Sequence, residues 1–184
     1  MNKHVAWLAL ASVFATASMP SAAQAADGQI TFDGEISANT CTVQSPTNGS
    51  GRVALPKVSA TAFGTGQETA GYTRFVIRIS DCPTVTQARA HFEGDPVNVH
   101  YPSNSLRNQH VGVDAAGNVG FALYDEQNGR ITIGSAAQTS WRDFPTGAMT
   151  PVDLPYGVSY VRVADAPVQA GRAEGVVQYS IEYP

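Results

Sequence analysis

The sequence is short of charge, of cysteine and of long apolar runs. Charged residues make up 14% of its 184 residues, with 11 Lys and Arg against 15 Asp and Glu and no basic stripe among them. This excludes the electrostatic footprint by which proteins hold nucleic acid. No apolar stretch reaches the roughly 20 residues a helix needs to cross a bilayer, and none sustains the period of a long amphipathic helix. The chemistry of catalysis is equally thin. His91, His100 and His110 form no H-E-x-x-H or other metal-binding spacing, no G-x-S-x-G elbow is present, and Gly64, Gly66 and Gly71 miss the dinucleotide pattern. Asp95, Asp114 and Asp125 with Glu126 sit in or beside turns, where nothing in the sequence pairs them as glycosidase carboxylates must be paired. The expectation is a protein without enzymatic activity, cofactor or metal.

Export is written at the start of the chain. Lys3 and His4 precede a short apolar run from Val5 to Ala17, and Ala23-Gln24-Ala25 supplies an A-x-A cleavage site. Residues 1–25 therefore read as a signal peptide. The mature chain from Ala26 is about 159 residues, one domain on size, and long enough to bury about two thirds of its unfolded surface. Two cysteines follow export, Cys41 and Cys82. In an oxidising compartment such a pair predicts one disulfide. A reactive or metal-binding pair is the alternative, with no C-x-x-C to favour it.

What the chain has in quantity is alternation. Tyr72 to Ser80 sets Phe75, Ile77 and Ile79 against Arg74, Arg78 and Ser80, with Val76 the exception. Gln87 to Glu93 sets Ala88, Ala90 and Phe92 against Gln87, Arg89 and His91. Val119 to Tyr124, Val152 to Val163 (interrupted by Pro155) and Gly175 to Tyr183 predict further strands. Gln127-Asn128-Gly129 predicts a hairpin turn with Arg130 to Ile133 returning. Thr40 to Gln44 can extend the strand that starts the mature chain past Cys41, and Arg52 to Val58 predicts one that Pro56 demotes to an edge or a broken strand. Ser59 to Gly71 is a loop or one short helical turn, Asp95 to Asn118 a surface excursion, and Trp141 and Phe144 lie in a loop or short strand. Many short strands without helices predict an all-β sandwich.

Both ends of the mature chain alternate as well. Ile30, Phe32, Gly34, Ile36 and Ala38 lie opposite Thr31, Asp33, Glu35 and Ser37. Ala173, Gly175, Val177, Tyr179, Ile181 and Tyr183 lie opposite Arg172, Glu174, Gln178, Ser180 and Glu182, with Val176 out of pattern. Each end needs a neighbour. Periodicity alone leaves open whether they pair with each other in one molecule or find partners elsewhere. It also leaves Gly34 as either a bulge or a point of close approach.

Several stretches, in order, resemble the subunits of type 1-like fimbriae, the chaperone–usher pilins. They are G-x-I-x-F-x-G-x-I from Gly28 to Ile36, LPKVS at Leu55 to Ser59, ISDCP at Ile79 to Pro83, LPYGVSY at Leu154 to Tyr160, and a last strand with penultimate Tyr183 after Gly171. The resemblance implies an incomplete immunoglobulin-like β-sandwich lacking its last strand. It divides the mature chain into an N-terminal donor-strand extension, 26–38, and a pilin domain, 39–184. Ile30, Phe32, Gly34 and Ile36 are then the donor residues, with Gly34 meeting a narrow part of a neighbour's groove. Gly171, Val177, Tyr179, Ile181 and Tyr183 belong to the acceptor groove and chaperone-binding strand, and Cys41–Cys82 ties the first strand to the second. The chaperone grips the carboxylate of Pro184. The implied function is that of a structural subunit of an adhesive fimbria on the cell surface, reached through the periplasm. The implied partners are copies of itself or other fimbrial subunits, a periplasmic chaperone and an outer-membrane usher, with host-surface glycans or proteins at its loops. The alternative is a minor adaptor, or a carbohydrate-binding adhesin using Trp141, Tyr101 or Tyr124 as a sugar platform.

Overall fold

The computed structural model describes residues 31, 41–44, 46, 51–64, 68–82, 84–145 and 151–184. The chain divides into a unit 1–36 and a unit Ser37–Pro184, and the second is described here by itself. The signal peptide and the donor residues Ile30, Phe32, Gly34 and Ile36 lie outside the described residues.

The described residues form nine strands: β1 (Thr42–Gln44), β2 (Thr69–Ser80), β3 (Gln87–Phe92), β4 (Val99–His100), β5 (Ser105–Arg107), β6 (Val119–Tyr124), β7 (Arg142–Asp143), β8 (Val152–Arg162) and β9 (Tyr179–Glu182). All pairings between them are antiparallel. The larger sheet runs β1-β2-β8-β6-β5-β4 and the smaller β7-β3-β9. The alternation in the sequence decides which faces meet. Ile77 and Ile79 of β2, Ala88, Ala90 and Phe92 of β3, Phe121 and Leu123 of β6, and Leu154, Tyr156 and Val158 of β8 share one buried cluster. The Phe92 ring meets Tyr156 edge-on at 5.1 Å and lies 6.5 Å from Tyr179. The outward residues pair in water, as Arg78 does with Asp153 at 2.6 Å in its cross-strand register. The Cys41–Cys82 disulfide is formed, with its sulfurs among the core residues. Closing a loop with a sequence separation of 41 stabilises by roughly 4 kcal/mol on chain-entropy arithmetic.

The two edges of the smaller sheet differ. On the side away from β9, β3 has the two-residue β7 beside Gln87 and Ala88 only. Beyond it, side chains replace the ladder. Gln138 accepts from the Phe92 N–H at 2.9 Å through Oε1 and donates to the Phe92 carbonyl at 2.7 Å through Nε2. Thr139 Oγ1 donates to the Ala90 carbonyl at 2.9 Å, and the Tyr156 hydroxyl accepts from the Ala90 N–H at 2.9 Å. All four bonds are buried, and burial pushes the Tyr156 phenol above its ordinary range, keeping it neutral. This edge is closed.

Several sequence expectations need correction. Asp95 to Asn118 is not a featureless excursion: β4 and β5 form a hairpin that extends the larger sheet and buries Val99 and Leu106. The turn is made by Asn104, whose φ of 46° is left-handed. Strands this short carry no legible alternation. Arg130 to Ile133 returns beside β6 at Arg130 but forms no strand. The Ile131 N–H still reaches the Leu123 carbonyl of β6 at 2.9 Å, but the Asn104 side chain takes the next groups, donating to the Ile131 carbonyl and accepting from the Ile133 N–H. Pro155 does not interrupt β8, which pairs with β2 through Val76↔Pro155. It is tolerated because the β6 ladder has already ended at Gly157, so β8 has one sheet neighbour there. Arg52 to Val58 forms no strand. Only Tyr179–Glu182 of the expected last strand is paired as one. Ser59 caps one 3-10 turn, Ala60–Ala62, within the expected loop.

Replacing Gln138 by Leu keeps the volume and removes the bonds, leaving the buried Phe92 N–H without a partner. The expected cost is about 1–3 kcal/mol, seen in urea denaturation as a lower midpoint at unchanged slope.

Candidate functional site

Among the described residues the other edge of the smaller sheet is open. Backbone groups along a strand alternate sides with the same period as side chains. In the run from Arg172 to Glu182 the even positions Arg172, Glu174, Gln178, Ser180 and Glu182 face inward partners. The Arg172 carbonyl accepts from Ala116 N–H at 2.8 Å and its N–H donates to Asp114 at 2.7 Å. The Glu174 carbonyl accepts from Gln109 at 2.7 Å, and the Gln178 carbonyl from Glu93 at 2.9 Å. Ser180 and Glu182 lie in register with His91 and Arg89 of β3. The odd positions, Ala173 to Tyr183, turn their N–H and C=O groups the opposite way. Among the described residues no strand lies on that side of β9. The edge is about 34 Å long at the rise of an antiparallel strand.

The side chains of the same odd residues reach into the core. Ala173, Val177, Tyr179, Ile181 and Tyr183 all pack, half-buried, against the central cluster, whereas Val176 is 46% exposed. Beside them runs a groove of about 580 Å³. Its walls are 51–55, 172–177 and Tyr179, and its floor is made of core side chains: Ile77, Phe92, Leu106, Phe121, Leu123 and Val158. Volume alone would also suit a small molecule. The run of outward-turned backbone groups along one wall, which no strand among the described residues pairs, is what suits an extended peptide strand.

The expected site residues separate on this geometry. Val177 and Tyr179 line the groove. Ile181 and Tyr183 continue the edge beyond it, and the Tyr183 hydroxyl accepts the Cys41 N–H at 3.2 Å. Burial raises the Tyr183 phenol's pKa, against the opposing pull of that amide. Gly171 does not line the groove. A Cβ there would lie 2.5 Å from the Ala115 carbonyl carbon and the Ala116 nitrogen, so this glycine lets the chain come against loop 108–116. Gly175 lines the groove where the Phe121 ring would sit 2.6 Å from a Cβ. The donor residues lie outside the described residues.

Sequence reasoning missed the brace. Asn108 accepts the Glu174 N–H at 3.0 Å and donates to the Ala116 and Arg172 carbonyls at 2.9 and 3.2 Å. His110 Nε2 lies 2.9 Å from an Asp114 oxygen, and this contact holds Asp114 below the usual carboxylate range. The help it gives is present at neutral pH and is lost as pH falls through that lowered value. Loop-to-strand bonding of this kind has no sequence period to betray it.

The other candidates are engaged locally. Asp95 caps its own turn at Val97, Asp125 binds the Gly129 N–H, and Glu126 pairs with Arg142 at 2.9 Å. His91 lies 3.5 Å from Glu182, and His100 hydrogen-bonds Ser103. No three metal-binding side chains group together among the described residues. The Arg89 guanidinium stacks 4.3 Å over the Trp141 ring, and Tyr124 packs edge-on to Tyr72 and hydrogen-bonds Ser159.

Residues 30–184 match the family model described as fimbrial protein. The chain belongs to the fimbrial protein family. It is 33% identical to the major fimbrial subunit SMF-1 of Stenotrophomonas maltophilia, over 91% of this chain and 98% of that one. It is 32% identical to the F17 fimbrial protein of Escherichia coli, over 91% and 93%. Among solved structures, the P pilus rod subunit PapA covers 78% of this chain and 99% of its own, with a TM-score of 0.58 at 13% identity. That likeness shows the fold, an immunoglobulin-like sandwich.

For this fimbrial subunit, Gly171→Ala should force the edge segment off loop 108–116 and cost about 1–3 kcal/mol. Thermal unfolding would register the loss, and exchange of the Arg172 and Ala116 amides would locate it.

Proposed function

We propose that this fimbrial subunit polymerises by donor-strand exchange. Its N-terminal extension, 26–38, inserts beside the last strand of a neighbouring copy, and its own groove receives the extension of the next. The observation that carries this reading is the coincidence of two needs on one set of residues. The odd positions from Ala173 to Tyr183 turn outward backbone that no strand among the described residues pairs, and they place side chains along an apolar groove. One added strand meets both needs. The extension spans roughly 40 Å when extended, enough to run the whole edge. Ile30, Phe32 and Ile36 lie on its apolar side. At about 1.5–3 kcal/mol for each large side chain they contribute about 5–9 kcal/mol before ordering entropy. Gly34 then faces the part of the groove with least room.

A sandwich left open in this way exposes core and edge together and is prone to aggregate. That motivates the partners: a periplasmic chaperone that covers the edge and grips the Pro184 carboxylate, and an outer-membrane usher where the neighbour's strand replaces it. The products are fimbriae at the cell surface, where the subunit's role is structural and no catalysis is required of it. The adhesin reading has less support, since Trp141 is stacked under Arg89 and Tyr124 is packed against Tyr72.

Co-expression with the cognate chaperone, followed by addition of a peptide spanning residues 26–38, tests the proposal. The peptide should displace the chaperone and leave a soluble complex with the subunit. The same peptide carrying Gly34→Leu should displace it at least about tenfold more slowly, as expected for a clash of more than about 1.4 kcal/mol. A subunit that is a stable monomer without chaperone, and that ignores the peptide, would refute the proposal.

A further inference from the structure

At the start of the open edge stands an apolar tip. Val111 is 86% exposed and Val113 fully exposed, on loop 108–116. The tip is not slack. The Ala115 N–H closes a turn on the Gly112 carbonyl at 3.2 Å, His110 and Asp114 pair across it, and its base is bonded to Arg172 and Glu174 of the groove wall. Two valines held rigidly in water lose the burial that large apolar side chains favour, and they sit beside a surface that is itself waiting for a partner.

Tether length says what arrives there. Ser37 to Thr40 join Ile36 to Cys41, a reach of at most about 18 Å. Cys41 is bonded to Cys82 in the body of the subunit. A copy whose strand fills the groove therefore has its body close to the groove end at which its Ile36 emerges. Which end is decided by Tyr183, whose hydroxyl holds the Cys41 N–H. Each subunit's own extension thus departs from the Tyr183 end of its own edge. In a linear fibre the outgoing extension and the incoming neighbour occupy opposite poles, so the neighbour's body arrives at the Ala173 end. The added strand then runs antiparallel to β9, as every neighbouring pair in both sheets does.

We infer that the Val111–Val113 tip is a second contact between copies, docking on the pole of the incoming subunit that carries Cys41 and β1, where Val43 is 42% exposed. The strand supplies affinity, and the tip fixes how one body stands on the next. This inference rests on the donor-strand reading, and its test separates the two. The full chain in its chaperone complex, wild type and Val111→Asp/Val113→Asp, is given either the 26–38 peptide or a second full subunit. The peptide has no body to dock, so its complexes should dissociate in guanidinium at the same rate for both proteins. Pairs of full subunits should come apart about tenfold or more faster when the acceptor carries the two aspartates. Val43→Asp in the donor should do the same. Unchanged lifetimes of the subunit pairs would overturn the inference, and so would an equal loss with the peptide, which places the damage in the groove. A wild-type subunit that takes up no peptide would remove the donor-strand reading itself, and the tip contact with it.

Discussion

The structure turns on the backbone of one edge. A strand has a period of two for its side chains and a period of two for its hydrogen-bonding groups, and the phases are locked. From Ala173 to Tyr183 the residues that face the core are therefore the ones whose N–H and C=O groups face outward. An apolar ligand could fill the groove and leave the amides unpaired. A polar peptide could pair the amides and leave Phe92, Leu106 and Phe121 short of neighbours. Only a strand alternating in the matching phase satisfies both, which is why specificity here is written as a pattern rather than as a charge or a catalytic group.

The opposite edge of the same small sheet shows that openness is not a general failing of the fold. β3 meets the same shortage beyond β7, and Gln138, Thr139 and Tyr156 supply the missing bonds from side chains. Short edge strands and covered edges are how sheets avoid unwanted pairing. One edge closed and one open means a strand can be added on one side of this sheet only. An unbranched chain of subunits requires that restriction. A second open edge would let copies associate sideways through the same backbone chemistry.

The strands that carry the core were legible in the sequence because they are long enough to alternate. β2, β3 and β6 lie within a few residues of where their periodicity puts them, and the inward positions of the last segment, Ala173 to Tyr183, are those its alternation names. What was not legible depends on partners remote in the chain. β4 and β5 are too short to alternate. Arg130 to Ile133 looks like a returning strand, but beyond the Ile131 N–H bond to Leu123 the Asn104 side chain takes its backbone groups. Residues 172–178 have the alternation of a strand, and their inward partner is a loop, so the pattern was right and the element was not. Gly171 reads as a site residue by resemblance, whereas its lack of a side chain serves the approach to the Ala115–Ala116 backbone.

Where the disulfide sits also follows from the open edge. β1 is three residues long, lies on the outside of the larger sheet and is exposed throughout. Its ladder to β2 is a weak anchor for a segment expected to be pulled on by a neighbour, since so short a pairing can unzip from its end. Cys41 immediately precedes it, and Cys82 follows the end of β2, fully buried. In a fibre built by strand addition, tension carried along the extension reaches the covalent bond before it reaches the first ladder bond of β1. The load then passes into β2, which shares its long register with β8 at the centre of the larger sheet. A noncovalent joint whose groove contacts and ladder bonds must be lost together dissociates slowly. It can hold only if the segment leading into it is secured at least as well, and at Cys41 that is done by a bond that does not unzip.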